Sequence, residues 1–402
     1  MTRLSQYWPA IERVADANGV VRLGASDLAD THAELFETWL DRGHHATMHY
    51  LAKNRDARHD PASRFPWAKS VIVILVPYSA ERPEAPEGSL TNHIARYALG
   101  DDYHEVLDRI LRELEGVFGE GVKTWRYVDT GPLSDRAYGA QSGLGWIARN
   151  GMLINQELGS YFFIGTLLTS LENDVAPHAV ADRCGTCTRC LDACPTNAIL
   201  PDRTLDSNLC ISYATIEHRG PLPPDLPLAG NAFGCDICQE ACPWNHDPAA
   251  AHPSFAARDE YRATPVTDLL RFEQNEFSTL FRKSAIKRAK LAGMQRNVEA
   301  LFDSGVGPRE SDGVTKVTLD ELPAELAERI RELRDPIEIV DNEKTIAEIR
   351  PVRGGLSYMH IPDPALGPIG QYRPKPLPRP LPVSAVETLL AEREEERNRK
   401  KW

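Results

Sequence analysis

Cys184-Gly-Thr-Cys187-Thr-Arg-Cys190-Leu-Asp-Ala-Cys194-Pro195 and Cys235-Asp-Ile-Cys238-Gln-Glu-Ala-Cys242-Pro243 carry seven of the eight cysteines in the chain. The eighth, Cys210, lies between them. Thiolates are soft ligands, and three at x2 spacing on a curling loop can converge on three irons of one cubane. The fourth, placed after three further residues and followed by proline, leaves that loop for the other cluster. The spacing therefore assigns Cys184, Cys187, Cys190 and Cys242 to one 4Fe-4S cluster, and Cys194, Cys210, Cys235 and Cys238 to a second. Cys210 enters by counting, as the only cysteine left to complete the second set. Disulfides would need an oxidising compartment. Zinc is the rival, since paired CxxC motifs also make all-thiolate zinc sites, although those need neither the third cysteine at x2 nor the Cys-Pro endings.

The run is that of bacterial ferredoxins, which are short; this chain has 402 residues. That length suggests two to three domains. With 42% hydrophobic and 26% charged residues it can bury a sizeable core. A net charge of -12 argues against a generic nucleic-acid coat but not against a local basic surface. The start, Met1-Thr-Arg-Leu-Ser-Gln-Tyr-Trp8, lacks the apolar core of a signal peptide. The longest apolar run, Val71-Ile-Val-Ile-Leu-Val76, is too short to span a bilayer. Its β-branched residues and terminal Pro77 read as a buried strand. A soluble cytoplasmic protein, with no membrane contact, is expected.

Around the cysteines the chain divides into four segments. Residues 1–175 alternate helical patterns with strand-like runs and form an α/β domain. Asp102–Phe118 has helical spacing, and Trp125–Val128 reads as a short strand. Met152–Asn155 and Tyr161–Thr169 read as an antiparallel hairpin turning at Gly159. A wholly parallel, doubly wound sheet is thereby excluded, and a mixed sheet is expected. Residues 176–248 form the double-cluster domain. Residues 249–305 read as helical. From 306 to 402 the chain is proline-rich, notably Pro374–Pro382, and then reads as a charged helix ending at Trp402.

Two adjacent clusters make an electron wire, and the segment before them must hold what the wire feeds. Gly143-Leu-Gly145-Trp-Ile-Ala-Arg149 lacks the third glycine of a dinucleotide loop and follows a helical pattern, so a structural turn is expected. Asp129, in Val128-Asp-Thr-Gly-Pro132, stands at the end of a strand. It reads either as a cap of the turn or following helix, or as a proton donor; the second role needs a site that raises its proton affinity. The densest basic stretch is Arg282-Lys-Ser-Ala-Ile-Lys-Arg-Ala-Lys290, with Arg296 beyond it. Lys283, Lys287 and Lys290 are expected near one helical face, either as a solvated surface or as phosphate contacts.

Val128-Asp-Thr-Gly-Pro-Leu-Ser-Asp-Arg136, Ser142-Gly-Leu-Gly-Trp-Ile-Ala-Arg-Asn150, Gly159-Ser-Tyr161, Cys210-Ile-Ser-Tyr213 and Phe233-Gly-Cys-Asp-Ile-Cys-Gln-Glu-Ala-Cys-Pro-Trp-Asn245 together resemble the epoxyqueuosine reductase family. The resemblance spans roughly residues 20–300. It implies an N-terminal cobalamin-binding domain followed by a ferredoxin-like domain with two 4Fe-4S clusters and a helical C-terminal region. It implies the reduction of epoxyqueuosine to queuosine at the tRNA wobble position, with electrons from an external low-potential donor and Asp129 as proton donor. Arg58, in Asn54-Arg-Asp-Ala-Arg-His-Asp-Pro61, matches a cobalamin-contacting arginine. Ala95, Leu153, Ile164, Ser212, Asp236 and Ile237, with Asp129, match other positions that line the cofactor. The D-x-H-x-x-G cobalamin signature is absent; Asp102-Tyr-His104 reads as a helix start. Many relatives carry a helical-repeat tail that this chain lacks. A monomer is expected. A cobalamin-dependent reductive dehalogenase and a pure electron-transfer subunit are the alternatives.

Overall fold

The structure, a computed structural model, describes residues 3–28, 33–53, 55–79, 81–175, 180–223, 226–246, 249–303 and three strands near the C-terminus. Met1–Pro308 form one compact unit and Arg309–Trp402 another.

The first unit contains strands β1 (Arg22–Asp27), β2 (Ser70–Pro77), β3 (Thr124–Tyr127), β4 (Trp146–Ile147), β5 (Leu153–Ile154) and β6 (Phe162–Thr169). Four of them form a sheet in the order β1-β2-β6-β3. Its pairings are antiparallel throughout, which corrects the expected mixed sheet. The chain passes from β2 to β3 through the helix Tyr103–Glu115. These two strands run the same way, but β6 lies between them and no parallel pair results.

The run Val71–Val76 is the buried strand expected of it: all eight residues of β2 are buried. Ile72, Ile74 and Val76 face a core made with Leu107, Ile110 and Leu111 of the helix Tyr103–Glu115. Val71, Val73 and Leu75 face the opposite core, with Leu133, Tyr138 and Leu153. A central strand covered on both faces needs no polar alternation, and each such side chain contributes about 1.5–3 kcal/mol by burial. The expected hairpin does not form. β5 pairs with β4, and only a single bridge, Asn155 to Gly159, marks the expected turn. β6 instead pairs along all of β2, from Ser70 opposite Thr169 to Pro77 opposite Phe162. The eight-residue β6 thereby gains a full-length hydrogen-bonding partner, which the two-residue β5 could not supply.

A further core joins Leu90, Ile94 and Leu99 to Ile211 and Phe233 of the cysteine-bearing segment and to Tyr261, Phe277 and Met294. The segment after residue 249 is helical, as expected, but in short pieces: Asp259–Ala263, Gln274–Leu280 and Lys290–Asp303, with 3-10 turns between.

In the second unit, β7 (Ile337–Asp341), β8 (Lys344–Ile349) and β9 (Met359–His360) form an antiparallel three-stranded sheet. This corrects the expectation of a helical C-terminal region over those residues. Ile337-Glu-Ile339 and Thr345-Ile-Ala-Glu-Ile349 are β-branched and alternate with polar residues, a strand signal. The proline-rich run and the terminal charged helix lie outside the described residues. Among the described residues no helix is long and apolar enough to cross a membrane.

Candidate active site

Beyond Tyr127, where β3 ends, the backbone turns abruptly. Asp129 has φ 62°, the left-handed region, and Thr130 N donates to Val128 O at 2.6 Å. Left-handed backbone is costly for a residue with a Cβ, least so for Asp and Asn, and persists only where its surroundings impose it. Arg58 clamps the backbone just beyond Asp129. Its guanidinium donates to Gly131 O at 3.2 Å and Leu133 O at 3.1 Å. Burial lowers the proton affinity of this guanidinium, while the charges of Asp135, Tyr50 and Asp129 oppose that shift. Gly131 is required at its position, since a Cβ there would lie 1.8 Å from Tyr127 Cδ1.

The Asp129 side chain is 66% exposed and projects toward the N-terminus of the helix Tyr103–Glu115. Tyr103 Oη donates to Asp129 Oδ2 at 2.5 Å, and His104 Nε2 lies 3.8 Å from the same oxygen. Asp102 caps that helix, accepting from His104 N at 3.0 Å, and holds His104 Nδ1 at 2.8 Å. The helix start read at Asp102 is therefore real. Tyr103 is wedged between Phe163 (4.5 Å, 5°) and His104 (4.1 Å, 29°). Burial, then the charge of Asp129, pushes its phenol well above the ordinary range, so Tyr103 keeps its proton and donates. The next helix, Asp135–Gln141, has Ser134 at its N-cap, so Asp129 is not that cap.

Asp135 was not singled out by sequence. Its carboxyl is pushed up to about 7, by burial first and then by the charge of Asp129. Thr166 Oγ1 donates to it at 3.3 Å, and Arg58 and Arg136 oppose the shift. Its only sequence signal is its place six residues after Asp129 in the quoted motif.

The other expected cofactor contacts fall into two neighbourhoods. Arg58, Leu153 and Ile164 lie by the Asp129 loop: Leu153 shares a core with Leu133, and half-buried Ile164 packs against it. Ala95, Asp236 and Ile237 gather around Arg96 and Gly234. Ala95 N donates to Phe233 O at 2.8 Å, and a Cβ on Gly234 would lie 2.5 Å from Ala95 Cβ. Asp236 Oδ2 accepts from Arg96 N at 2.8 Å and Arg96 Nη1 at 3.1 Å, with Arg82 at 3.7 Å. Ser212 O joins this group through Thr215 Oγ1, which also accepts from Gly234 N at 2.9 Å.

None of the eight cysteines is in a disulfide. Burial raises the Cys190 thiol to about 11, helped by Cys242, Cys187 and Cys184. Burial likewise raises Cys235 to about 12, helped by Cys210 and Cys194. Cys238 is driven well up by burial, then by Cys235 and Cys210, with lesser effects from Cys190 and Cys194. Cys194 and Cys242 both precede prolines, Cys242 as the N-cap of the turn Pro243–Asn245. Among the described residues no three His, Cys, Asp or Glu side chains close on a single metal ion.

An open basin of about 580 Å³ is lined by Thr47, Tyr50, Glu217, Arg219, Lys287, Arg288 and Lys290. Arg288 grips Glu217 through two bonds of 2.8 Å and lies 5.9 Å over the Tyr50 ring. The Tyr50 phenol, raised chiefly by burial, also feels Asp129 and Arg58, so the basin adjoins the Asp129 loop. The three lysines do not share the one helical face that the sequence led us to expect. Lys283 and Lys290 have φ 53° and 62°, which breaks the helix between them, and Lys283 pairs with Glu105 at 3.1 Å. Arg296 serves structure, donating to the carbonyls of Ala214, His218 and Gly220.

A family model described as "Epoxyqueuosine reductase QueG, DUF1730" matches residues 58–130, and one for a "4Fe-4S double cluster binding domain" matches residues 183–245. The epoxyqueuosine reductase of Leadbetterella byssophila is 38% identical over 69% of this chain and 91% of its own length. The chain belongs to the epoxyqueuosine reductase family. Another member, from Cyclobacterium marinum, is 35% identical over 74% of this chain and 97% of its own. A crystal structure of epoxyqueuosine reductase with an epoxyqueuosine-modified tRNA-Tyr stem loop superposes with TM-score 0.69 at 26% identity, over 82% of this chain and 93% of that one. The Bacillus subtilis family member, solved with its catalytic aspartate loop swung out of the active site, superposes with TM-score 0.68 at 26% identity, over 82% of this chain and 94% of that one.

Proposed function

We propose that this chain reduces epoxyqueuosine in tRNA to queuosine, with Asp129 as the proton donor. The observation that carries the reading is the left-handed Asp129 turn, clamped beyond it by Arg58, in one compact unit with the eight cysteines. Cys184, Cys187, Cys190 and Cys242 hold one 4Fe-4S cluster, and Cys194, Cys210, Cys235 and Cys238 the other. They carry electrons inward from an external low-potential donor.

The reaction consumes two electrons and two protons, breaks both epoxide C–O bonds and releases water, leaving an alkene. When bound, cobalamin supplies a strongly reducing cobalt centre for the C–O cleavage. Two features support a corrinoid beside Asp129. Arg58 Nε is buried with no hydrogen-bond partner among the described residues, and Ile164 offers half-buried apolar surface in the core that contains Leu133. Arg58, Ala95, Leu153, Ile164, Ser212, Asp236 and Ile237 would hold it.

Oxygen leaving carbon carries developing negative charge and needs a proton, which the Asp129 carboxyl delivers. Tyr103 orients that carboxyl through its bond to Oδ2. The basic basin takes tRNA phosphates, which supply affinity, while the base is read at the Asp129 site. A tRNA substrate makes the cytoplasm the working compartment, and the chain acts as a monomer.

The test is anaerobic holoprotein with cobalamin and a strong reductant, acting on epoxyqueuosine-containing tRNA, with nucleosides read by mass spectrometry. Wild type forms queuosine. Asp129→Ala keeps its iron and corrinoid and loses about 100-fold or more of turnover, the usual worth of a general acid. Unchanged epoxyqueuosine with wild type, or full turnover in the variant, refutes the assignment.

A further inference from the structure

The segment Gly145-Trp-Ile-Ala-Arg149 belongs neither to the Asp129 loop nor to the cysteine runs, yet it lies against the first group of cysteines. Trp146 pairs with Ile154 across β4 and β5, and the strands approach so closely that a Cβ on Gly145 would lie 2.1 Å from Ile154 O. This fixes the indole. Trp146 is 4% exposed and packs in a small core with Cys242, Cys184 and Trp244, whose ring it meets edge-on at 5.2 Å. Three residues on, Arg149 Nη2 donates to Gly185 O at 2.9 Å, between Cys184 and Cys187.

Both side chains carry a buried N–H with no hydrogen-bond partner among the described residues: Trp146 Nε1 and Arg149 Nε. Buried donors are almost always satisfied, and an indole offers only this one polar atom. Two orphan donors from one short segment, both beside cysteines of the same group, point to a shared acceptor at that place. The sulfurs of an iron–sulfur cluster are acceptors, and hydrogen bonds to them are among the main determinants of its potential.

We propose that Trp146 Nε1 and Arg149 Nε donate to the sulfurs of the cluster held by Cys184, Cys187, Cys190 and Cys242, and so raise its reduction potential. The proposal rests on the cluster assignment given above. One-electron reduction adds a negative charge to the cluster, and two N–H dipoles with a guanidinium charge stabilise that form over the oxidised one. The second group receives a different contact from this segment: Asn150 Nδ2 donates to the backbone carbonyl of Cys238 at 3.3 Å, not toward a sulfur. The asymmetry biases the electron toward the first cluster. Trp146 and Arg149 are thus positioning residues that act through the cluster.

The test is a redox titration of the anaerobically reconstituted holoprotein, followed by EPR of the reduced clusters. Trp146→Phe and Arg149→Gln should each keep full iron content and move one of two midpoints to more negative potential, leaving the other in place. Midpoints unchanged in iron-replete variants overturn the proposal. Holoprotein lacking two EPR-active clusters would instead refute the cluster assignment beneath it. A measurement independent of the Trp146 variant guards against its misfolding. Tryptophan labelled at the indole nitrogen should give a hyperfine coupling to the reduced cluster in wild type and in Trp244→Phe. Absence of that coupling in wild type overturns the role of Trp146.

Discussion

Asp129 and Asp135 are carboxyls six residues apart whose surroundings drive them to different tasks. Asp129 is exposed, held by a tyrosine and set on strained backbone. Asp135 is buried behind it and pushed up to about 7. A carboxyl raised by folding stabilises the fold below its unfolded value near 4, and that stability is lost as pH rises through about 7. The loss is on the order of 4 kcal/mol when complete, at 1.36 kcal/mol per unit. Asparagine imitates the protonated form at every pH. Asp135→Asn should therefore flatten the fall in thermal midpoint of the holoprotein between about pH 4 and 7. A variant whose midpoint falls as steeply as wild type would show that Asp135 is ionised throughout.

At the scale of elements, the turn after β3 is shaped by parts that come from far apart in the chain. Arg58 reaches it from the short helix Arg55–His59, Tyr103 from the helix Tyr103–Glu115, and Tyr127 from β3 itself. Gly131 is where these constraints meet, with a substituted Cβ only 1.8 Å from the Tyr127 ring. Gly131→Ala should cost about 1–3 kcal/mol of stability, the usual range for overpacking. It should lower turnover much more than it lowers iron content, because the displaced turn carries Asp129. Calorimetry, iron assay and turnover on one preparation check this; equal losses of all three would mean general unfolding instead. The elements most legible in sequence were those with strong periodicity: β2 and the helix Tyr103–Glu115. β6 was legible as a strand, but its partner was not, because the edges it pairs with belong to β2 and β3, which lie far from it in sequence. The single helical face expected for Lys283, Lys287 and Lys290 failed because two of them adopt φ values above zero, which no side-chain spacing announces.

Across the whole molecule, an acidic chain of net charge -12 concentrates four basic side chains around one basin beside the Asp129 turn. Glu217 is the one acidic residue in that lining and is neutralised by Arg288. Lys287→Glu with Lys290→Glu should weaken tRNA binding and lower the slope of log affinity against log salt by roughly one to two, with turnover at saturating tRNA preserved. An unaltered affinity and salt slope would place the tRNA elsewhere. The same unit joins three segments that the sequence reads as separate domains, through a core shared by Leu90, Phe233 and Met294.

By itself the sequence determined which residues are capable of the chemistry. Eight thiols at ferredoxin spacing and an acid in Val128-Asp-Thr-Gly131 are local patterns, and local patterns survive in one dimension. Only the tertiary structure decided the surroundings of those residues. It set the left-handed backbone at Asp129, the raised proton affinity of Asp135, the arginines that occupy Asp236, and the two unsatisfied donors beside Cys184 and Cys242. Burial and charge at a point are sums over neighbours distant in sequence, and no spacing along the chain encodes them.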